Sequence, residues 1–562
     1  MRLAATVLAA LALEAAPAAG APGDLDPSFS GDGRVSTLTS PDTFVARAVA
    51  LQPDGRIVVA GYSCDTGVCG PTGDSSFRLV RYTADGGLDT DFGAGGMVTT
   101  AVGVGRSQAF DVVVRPDGGI VAGGVASADA ADPGSFALAA YRPDGRLDQG
   151  FGVGGRVVMR VGEGFDAISD LVAAPGDRLV AVGQAEEDAR SRFALARFER
   201  TGAPDPAFGR HGEVVVPPSA PYAYGAAGAL LPDGRVVAVG ASGQSSAVES
   251  LRLSGVPVGF SGDAAPPWIR SVGASYSYAN AVAALPDGRV LSAGVATEAS
   301  GHPAMALVRS SPEGVLDPSW DGDGTSLARV HEASVATDVV LDGAGRAIAA
   351  GYSEEGPNHG FLLARFDAAG TLDRGFGGQG VVLTGFPGAT VARATALALQ
   401  GDGKLVAAGI ACAGGSGPQC AGGTARLALA RYLGGDPART GPPAPGSGTL
   451  SAGAVGKRAR FVALPARLRA RRGRVRVRVR CLQAARCQGR VTLRRLRTGR
   501  RSLLLGTRRA SVPARKARTV IVRVTRRRLG ARRRLRVRVE FRGRDAEGLD
   551  RRVARRVPLR RG

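Results

Sequence analysis

The same phrase returns seven times along the chain: an apolar run, a turn of the Pro-Asp-Gly type, and a second apolar run that ends in Gly. It reads Ala-Leu-Gln-Pro-Asp-Gly-Arg-Ile-Val-Val-Ala-Gly at Ala50 to Gly61. It returns around Asp117, Asp233 and Asp287, and in altered form around Gly176, Ala344 and Asp402. The turn position falls at Gly55, Gly118, Asp177, Gly234, Gly288, Gly345 and Gly403, in steps of 54 to 63 residues. A period of this size implies supersecondary units that must stack to bury a core.

Each unit carries four strand signals. In the first, Val45 to Gln52 runs into the turn Pro53-Asp54-Gly55, where Pro presets φ and Gly tolerates positive φ. Arg56 to Tyr62 follows, then a variable loop, then Phe77 to Tyr82 in the pattern Phe-x-Leu-x-Arg-Tyr. A long turn, Asp85 to Gly93, leads to Gly96 to Thr100. Four antiparallel strands repeated seven times predict a seven-bladed β-propeller; the alternative, a β-solenoid, has shorter units and no recurring hairpins. The array starts on a long turn and fourth strand (Leu25 to Leu38) and ends on a third strand (Leu427 to Tyr432). Arg34 to Leu38 is therefore expected to complete the last blade and remove two open sheet edges.

The phrases Leu-Asp-x-x-Phe-Gly and Pro-Asp-Gly-x-hydrophobic together resemble the delta-60 repeat family over residues 24–433. The resemblance implies a propeller, usually on secreted or surface proteins, and no catalytic residues. Residues 251–263 lack the Leu-Asp phrase, and Ala140 stands where other units have Arg81, Arg197, Arg252, Arg309, Arg365 and Arg431. These arginines and the aspartates Asp26, Asp89, Asp148, Asp205, Asp317 and Asp373 are expected to pair across blades, or simply to serve turn chemistry.

Residues 1–21 read as a signal peptide: Arg2, the apolar stretch Leu3 to Leu13, then small residues Ala15 to Ala21. The stretch is shorter than the roughly 20 apolar residues a membrane span needs. Three close cysteine pairs suit an oxidising compartment: Cys64 with Cys69, Cys412 with Cys420, Cys481 with Cys487. The propeller is assigned to residues 22–433, a Pro/Gly-rich linker to 434–456 and a basic module to 457–562. Residues 451–562 hold 38 Arg and 2 Lys against 4 acidic residues, a balance of +36. The whole chain is +23, so residues 1–450 carry −13. In the basic module Val475, Val477, Val479 and Cys481 alternate with Arg474, Arg476, Arg478 and Arg480, and the same phase returns around Arg536 and Arg538. Such alternation predicts half-buried strands in a small immunoglobulin-like β-sandwich with a disordered basic tail from Arg551. Its arginine face suits anionic cell-wall polymers, polysaccharide or a surface protein; nucleic acid fits an exported chain poorly. The alternative is compositional: the chain is Arg-rich and Lys-poor throughout.

The variable loops define one rim, the candidate ligand face. There Tyr222, Tyr224, Tyr276 and Tyr278 form two Tyr-x-Tyr pairs that could offer an aromatic platform to sugar rings or a peptide, or simply pack. The four histidines are scattered, no nucleophile elbow or His-Glu-x-x-His is present, and Asp321-Gly322-Asp323-Gly324 lacks the ligand spacing of a calcium loop. No cofactor or metal is called for. The expected role is an exported, monomeric, non-enzymatic propeller with a binding rim. The alternative is an extracellular hydrolase or lyase with a site at the channel mouth. A cluster of Asp, Glu or His converging at that rim would favour the enzyme; an aromatic or polar rim would favour binding.

Overall fold

A computed structural model describes residues 20–434 apart from short segments (40–42, 65–73, 130, 218–219, 245–251, 260–261, 354–359, 415–419 and 421–422) and the backbone of eight strands between 462 and 561. Among the described residues every regular element is a strand. The chain divides into two compact units, Met1–Ala454 and Val455–Gly562. The first holds seven four-stranded antiparallel sheets, the blades of a propeller. Their innermost strands are Thr43–Leu51, Ser107–Val114, Ala167–Ala174, Tyr222–Leu230, Ser277–Ala284, Ser334–Leu341 and Val391–Leu399, in blades one to seven.

The wheel closes as the ends of the repeat array predict. Arg34–Leu38 pairs with Thr424–Tyr432 as the outermost strand of blade seven, Arg34 opposite Ala430 and Leu38 opposite Arg426. Phe29, Phe44, Val59, Val406 and Leu427 form part of one apolar cluster that joins the first and last blades. Burial of such side chains supplies the main attraction between blades.

One backbone device is common to all blades. Each inner strand shifts register by one residue against its neighbour, at Arg47, Phe110, Ser169, Ala226, Asn280, Thr337 and Thr395. Opposite each shift stands a glycine of the second strand: Gly61, Gly124, Gly183, Gly240, Gly294, Gly351 and Gly409. A Cβ at any of them would fall 1.9–2.1 Å from a carbonyl oxygen of the inner strand. The Gly that ends each second apolar run therefore admits a β-bulge, which places one extra residue of the inner strand on the channel side.

The blades are locked together at the opposite rim. The expected Arg–Asp pairs form within a blade rather than across blades: Arg81–Asp89 at 2.9 Å, Arg197–Asp205 at 2.8 Å, Arg309–Asp317 at 2.6 Å, Arg365–Asp373 at 2.9 Å, and Arg431–Asp26 at 2.8 Å in the closing blade. The aspartates also face a second cation; Lys404 lies 2.8 Å from Asp26. The same guanidiniums do reach the next blade, but through a backbone carbonyl. Arg81 donates to Pro143, Arg309 to Ala368 at 2.8 Å, Arg365 to Gly434 and Arg431 to Ala84. Each also lies over an aromatic ring of its own blade, 4.4 Å from the Phe92 centroid for Arg81 and 4.6 Å from Phe29 for Arg431. Those rings pack on the following blade's turn glycine: an added Cβ at Gly86, Gly145 or Gly202 would sit 2.8–2.9 Å from Phe29, Phe92 or Phe151.

Two blades depart from the sequence pattern and restore the junction by other means. Blade two has Ala140 at the arginine position. Arg115, from the end of its inner strand, lies 5.4 Å from the Phe151 centroid and donates to the Arg200 carbonyl at 3.1 Å. In blade four the register corrects the expected arginine: Pro257 pairs with Val237 as Arg81 pairs with Val58, so Pro257 holds that position and Arg252 does not. There Trp268 donates its indole N–H to Pro312 at 2.9 Å and packs against Gly314.

In the second unit, Arg474–Cys481 pairs with Ala517–Arg523, and Cys487–Arg495 lies between Leu503–Val512 and Arg534–Arg544. Val475, Val477, Val520 and Val522 are buried, in keeping with the alternation. The tail expected to be disordered is instead a strand, Asp550–Arg561, antiparallel to Arg534–Arg544. Residues 1–19, the linker from 435 and the side chains of Arg474, Arg476, Arg478, Arg480, Arg536, Arg538, Cys481 and Cys487 lie outside the described residues. Cys412 and Cys420 form a disulfide with Cα atoms 5.5 Å apart; Cys64 is disulfide-bonded, and Cys69 lies outside the described residues. No helix among the described residues is long and apolar enough to cross a membrane.

Two predictions follow from this packing. Gly351→Ala should lower stability by about 2–4 kcal/mol, because backbone must move to admit the methyl. Gly385→Ala, where nothing lies within 4 Å of the added carbon, should stay within about 0.5 kcal/mol of the parent in urea unfolding. Arg115→Ala should cost about 1–3 kcal/mol through the lost carbonyl bond and ring contact. Arg146→Ala, whose side chain is 82% exposed, should leave the melting temperature unchanged.

Candidate functional site

The bulges decide what lines the central channel. A cavity of about 500 Å³ opens between the inner strands, and its wall is built in tiers. All seven bulge residues, Arg47 to Thr395, contribute one tier. The residue after each bulge contributes the next: Ala48, Asp111, Asp170, Ala227, Ala281, Asp338 and Ala396. Two residues before the bulge, toward the variable rim, come Val45, Tyr224, Tyr278, Val335 and Arg393. Without the extra residue, strict alternation would send one of the two neighbouring tiers into the sheet's other face.

Three carboxylates line this wall, Asp111 and Asp170 on neighbouring blades and Asp338 across the ring. Asp111 on blade two accepts a hydrogen bond from the N–H of Leu171 on blade three at 2.8 Å. Asp170 accepts from Gly228 on blade four at 2.6 Å, and Asp338 on blade six from Leu397 on blade seven at 2.7 Å. The donors are equivalent N–H groups, two residues past each bulge. Asp111 and Asp170 are also hydrogen-bonded to each other. Burial pushes Asp111 well above the ordinary carboxylate range, and the neighbouring charge of Asp170 adds to this. Burial also raises Asp170, against the pull of the Gly228 N–H and the Asp111 hydrogen bond. The two titrate as a pair that retains a shared proton. Such a pair can give up a proton to a bound group.

The cations stand elsewhere on the ring. Arg47 on blade one lies 5.3 Å from the Phe110 ring centroid and 5.8 Å from that of Tyr62. Arg393 on blade seven lies 4.3 Å from Tyr352. Asn280 donates its side-chain amide to the Ala336 carbonyl at 2.8 Å.

The tyrosines singled out in the sequence are placed differently from expectation. Tyr222, Tyr224 and Tyr278 belong to the inner strands of blades four and five rather than to loops, and Tyr276 immediately precedes its strand. Tyr224 and Tyr278 face the channel, whereas Tyr222 lines a separate cavity of about 300 Å³ with Phe165, Glu186 and Arg190. Tyr276 stacks on Tyr278 with ring planes 14° apart, while Tyr222 meets Tyr224 at 62°, so the four rings do not make one flat platform. Burial, with a smaller effect of Tyr222, pushes the Tyr224 phenol up to about 12, so its hydroxyl remains a hydrogen-bond donor. Asp111, Asp170 and Asp338 are inconspicuous in the sequence because each stands alone in an apolar strand, one or more repeats from the next. A polar residue at a buried strand position was their one visible signal. Among the described residues no group of three or more His, Cys, Asp and Glu is placed to hold a metal ion.

A family model described as "Domain of unknown function (DUF5122) beta-propeller" matches residues 52–92, 115–151 and 285–319, which supports a β-propeller repeat family. No curated protein sequence matches the chain. Similar solved structures include a mannose phosphorylase from Leishmania mexicana in complex with phosphate ion (10% identity, TM-score 0.24, covering 54% of this chain and 91% of that one). They also include the GH43_1 enzyme from Xanthomonas citri complexed with xylotriose (12%, TM-score 0.29, 71% and 90%). A third is xylan β-1,4-xylosidase from Bacillus halodurans C-125 (10%, TM-score 0.25, 73% and 90%). The expected non-enzymatic role is corrected here. What sets that role aside is the buried carboxyl pair Asp111–Asp170 in the channel wall, which lies below the variable rim where an acidic cluster was to favour the hydrolase or lyase alternative. Likenesses this distant transfer no activity, so the chemistry rests on the channel's own residues.

The carboxylate pair sets a pH dependence of known sign. Its folded pKa values lie above the unfolded value of about 3.9, so the folded state holds more protons and stability falls as pH rises above about 4. Carboxyls shifted down, such as Asp317, held to about 2 when its hydrogen bonds to Ser319 and the Arg309 charge overcome burial, act below that window. Urea unfolding should show a loss of stability between pH 4.5 and 8 that is smaller in Asp111→Asn.

Proposed function

We propose that the chain is a hydrolase acting on a sugar-containing chain at the mouth of the propeller channel. The observation that carries this reading is the proton-sharing pair Asp111–Asp170 on blades two and three, with Asp338 on the far side of the lumen on blade six. Glycoside hydrolysis uses two carboxyl groups that flank the bond to be cut. In this reading Asp111 donates its proton to the leaving oxygen, while Asp338 takes a proton from the water that attacks the opposite face. Tyr224 and Tyr278 offer ring faces to the sugar and hydroxyl tips to its oxygens. Burying the charge of a proton-sharing carboxyl pair is costly, which argues for a role beyond bracing: Asn at either position would keep an acceptor for the blade N–H groups without that cost.

The repeats are read as delta-60 repeats. Residues 457–562 are read as an immunoglobulin-like sandwich whose arginine face meets anionic polymers, and the chain as exported on residues 1–21. These readings rest on the sequence patterns described above.

Turnover of a panel of nitrophenyl glycosides and dye-linked polysaccharides, with a full pH profile, tests the activity. Asp111→Asn and Asp338→Asn should each lower kcat by about 100-fold or more with the melting temperature retained. Activity should fall on the alkaline side as the pair loses its proton. Absence of turnover on every substrate, or full activity in both folded variants, would overturn the reading.

A further inference from the structure

The channel wall is electrically lopsided. Its carboxylates lie on blades two, three and six, while blades seven and one carry Arg393 and Arg47. At the tier that holds the aspartates, Arg47 is followed by Ala48 in its own blade and flanked by Ala396 in blade seven and Asp111 in blade two, and it makes no ion pair with Asp111. The guanidiniums at the other rim show the contrast: Arg81, Arg197, Arg309, Arg365 and Arg431 each meet a carboxylate at 2.6–2.9 Å. Arg47 is exposed on the cavity wall, and among the described residues no carboxylate lies within 4.0 Å of it. It is nonetheless held in place, lying over Tyr62 and Phe110, whose rings meet edge to face at 6.1 Å. Tyr62 is itself buried. An ordered guanidinium with its hydrogen-bonding edge free of a protein carboxylate is suited to two-point contact with an oxyanion. It stands in a repeat body whose net charge over residues 1–450 is −13.

We infer that the ligand of the channel mouth carries a carboxylate and that Arg47 receives it, so that the preferred sugar chain is a polyuronate rather than a neutral glycan. The inference rests on the reading of the mouth as a sugar-chain site and narrows its substrate class. The bulge places Arg47 one tier nearer the variable rim than the aspartates. A chain whose acid group lies against Arg47 therefore presents its linkage deeper, toward Asp111 and Asp170. A methyl-esterified chain keeps the ring shape and loses the charge, which makes it the matched control.

The test uses the full chain with Asp111→Asn to suppress cleavage, and a photo-crosslinking oligogalacturonate with its methyl ester. Peptide mapping separates label on the channel strands Thr43–Leu51 and Ser107–Val114 from label on the Arg-rich strands of the second unit. Channel label should form at roughly 10- to 100-fold lower concentration of the acid than of the ester. Arg47→Gln should abolish that difference and Arg47→Lys should retain part of it, with label on the second unit unaffected. Equal channel labelling by acid and ester, or a preference undiminished in Arg47→Gln, overturns the inference. Turnover is scored separately with the parent chain. Channel labelling without cleavage of oligogalacturonate would leave the ligand assignment standing and remove the hydrolase reading. Cleavage of neutral chains without acid preference would do the reverse.

Discussion

The structure depends on a close approach of two backbones that glycine alone permits. In every blade a carbonyl oxygen of the inner strand lies 1.9–2.1 Å from where a Cβ of the second strand would be. That contact admits a bulge, and the bulge turns consecutive residues of the inner strand toward the lumen. The carboxyl pair Asp111–Asp170, Asp338 and Arg47 are all among those residues. A scaffold requirement, seven glycines facing seven bulges, thus frees fourteen channel positions to vary. Alanine, serine, threonine, asparagine, arginine, phenylalanine and aspartate all occur there, so the channel differs from blade to blade although the blades are alike.

The junctions between blades follow a different rule, in which the acceptor is constant and the donor is not. The carbonyl of the residue two positions past the end of the third strand recurs at Ala84, Pro143, Arg200, Pro312, Ala368 and Gly434. It is met by a third-strand arginine, by Arg115 from an inner strand, or by the Trp268 indole. What the site demands is a flat group that fills the space beside a buried ring and gives one hydrogen bond to a buried oxygen. An unmet carbonyl there would cost about 1–3 kcal/mol, so the loss of one donor is matched by another from a different strand.

Charge in the two rims serves opposite ends. At the turn rim, guanidinium and carboxylate neutralise each other and brace the blades. In the channel they are held apart on different blades, and two acids share a proton in place of a cation. Separation of this kind leaves fields that a ligand can satisfy, and the ring's geometry keeps the partners from collapsing onto one another.

The sequence by itself determined the repeat, the four-strand unit, the number of blades and the closure of the wheel. Each is local: a Pro-Asp-Gly turn, a period-two run and an unmatched strand at each end of the array are read within a few residues. It also displayed the bulge glycines, as the Gly ending each second run, without disclosing their purpose. Tertiary structure alone decided which side chains meet. Arg252 and Pro257 could not be told apart as the arginine equivalent until strand pairing fixed the register, and Ala140 looked like a loss until Arg115 was seen over Phe151. The channel was illegible for the same reason. Asp111, Asp170 and Asp338 come from strands separated by one or more repeats, and the bulge changes the parity that alternation relies on, so which residue faces the lumen is set by the pairing of strands and by nothing in the local pattern.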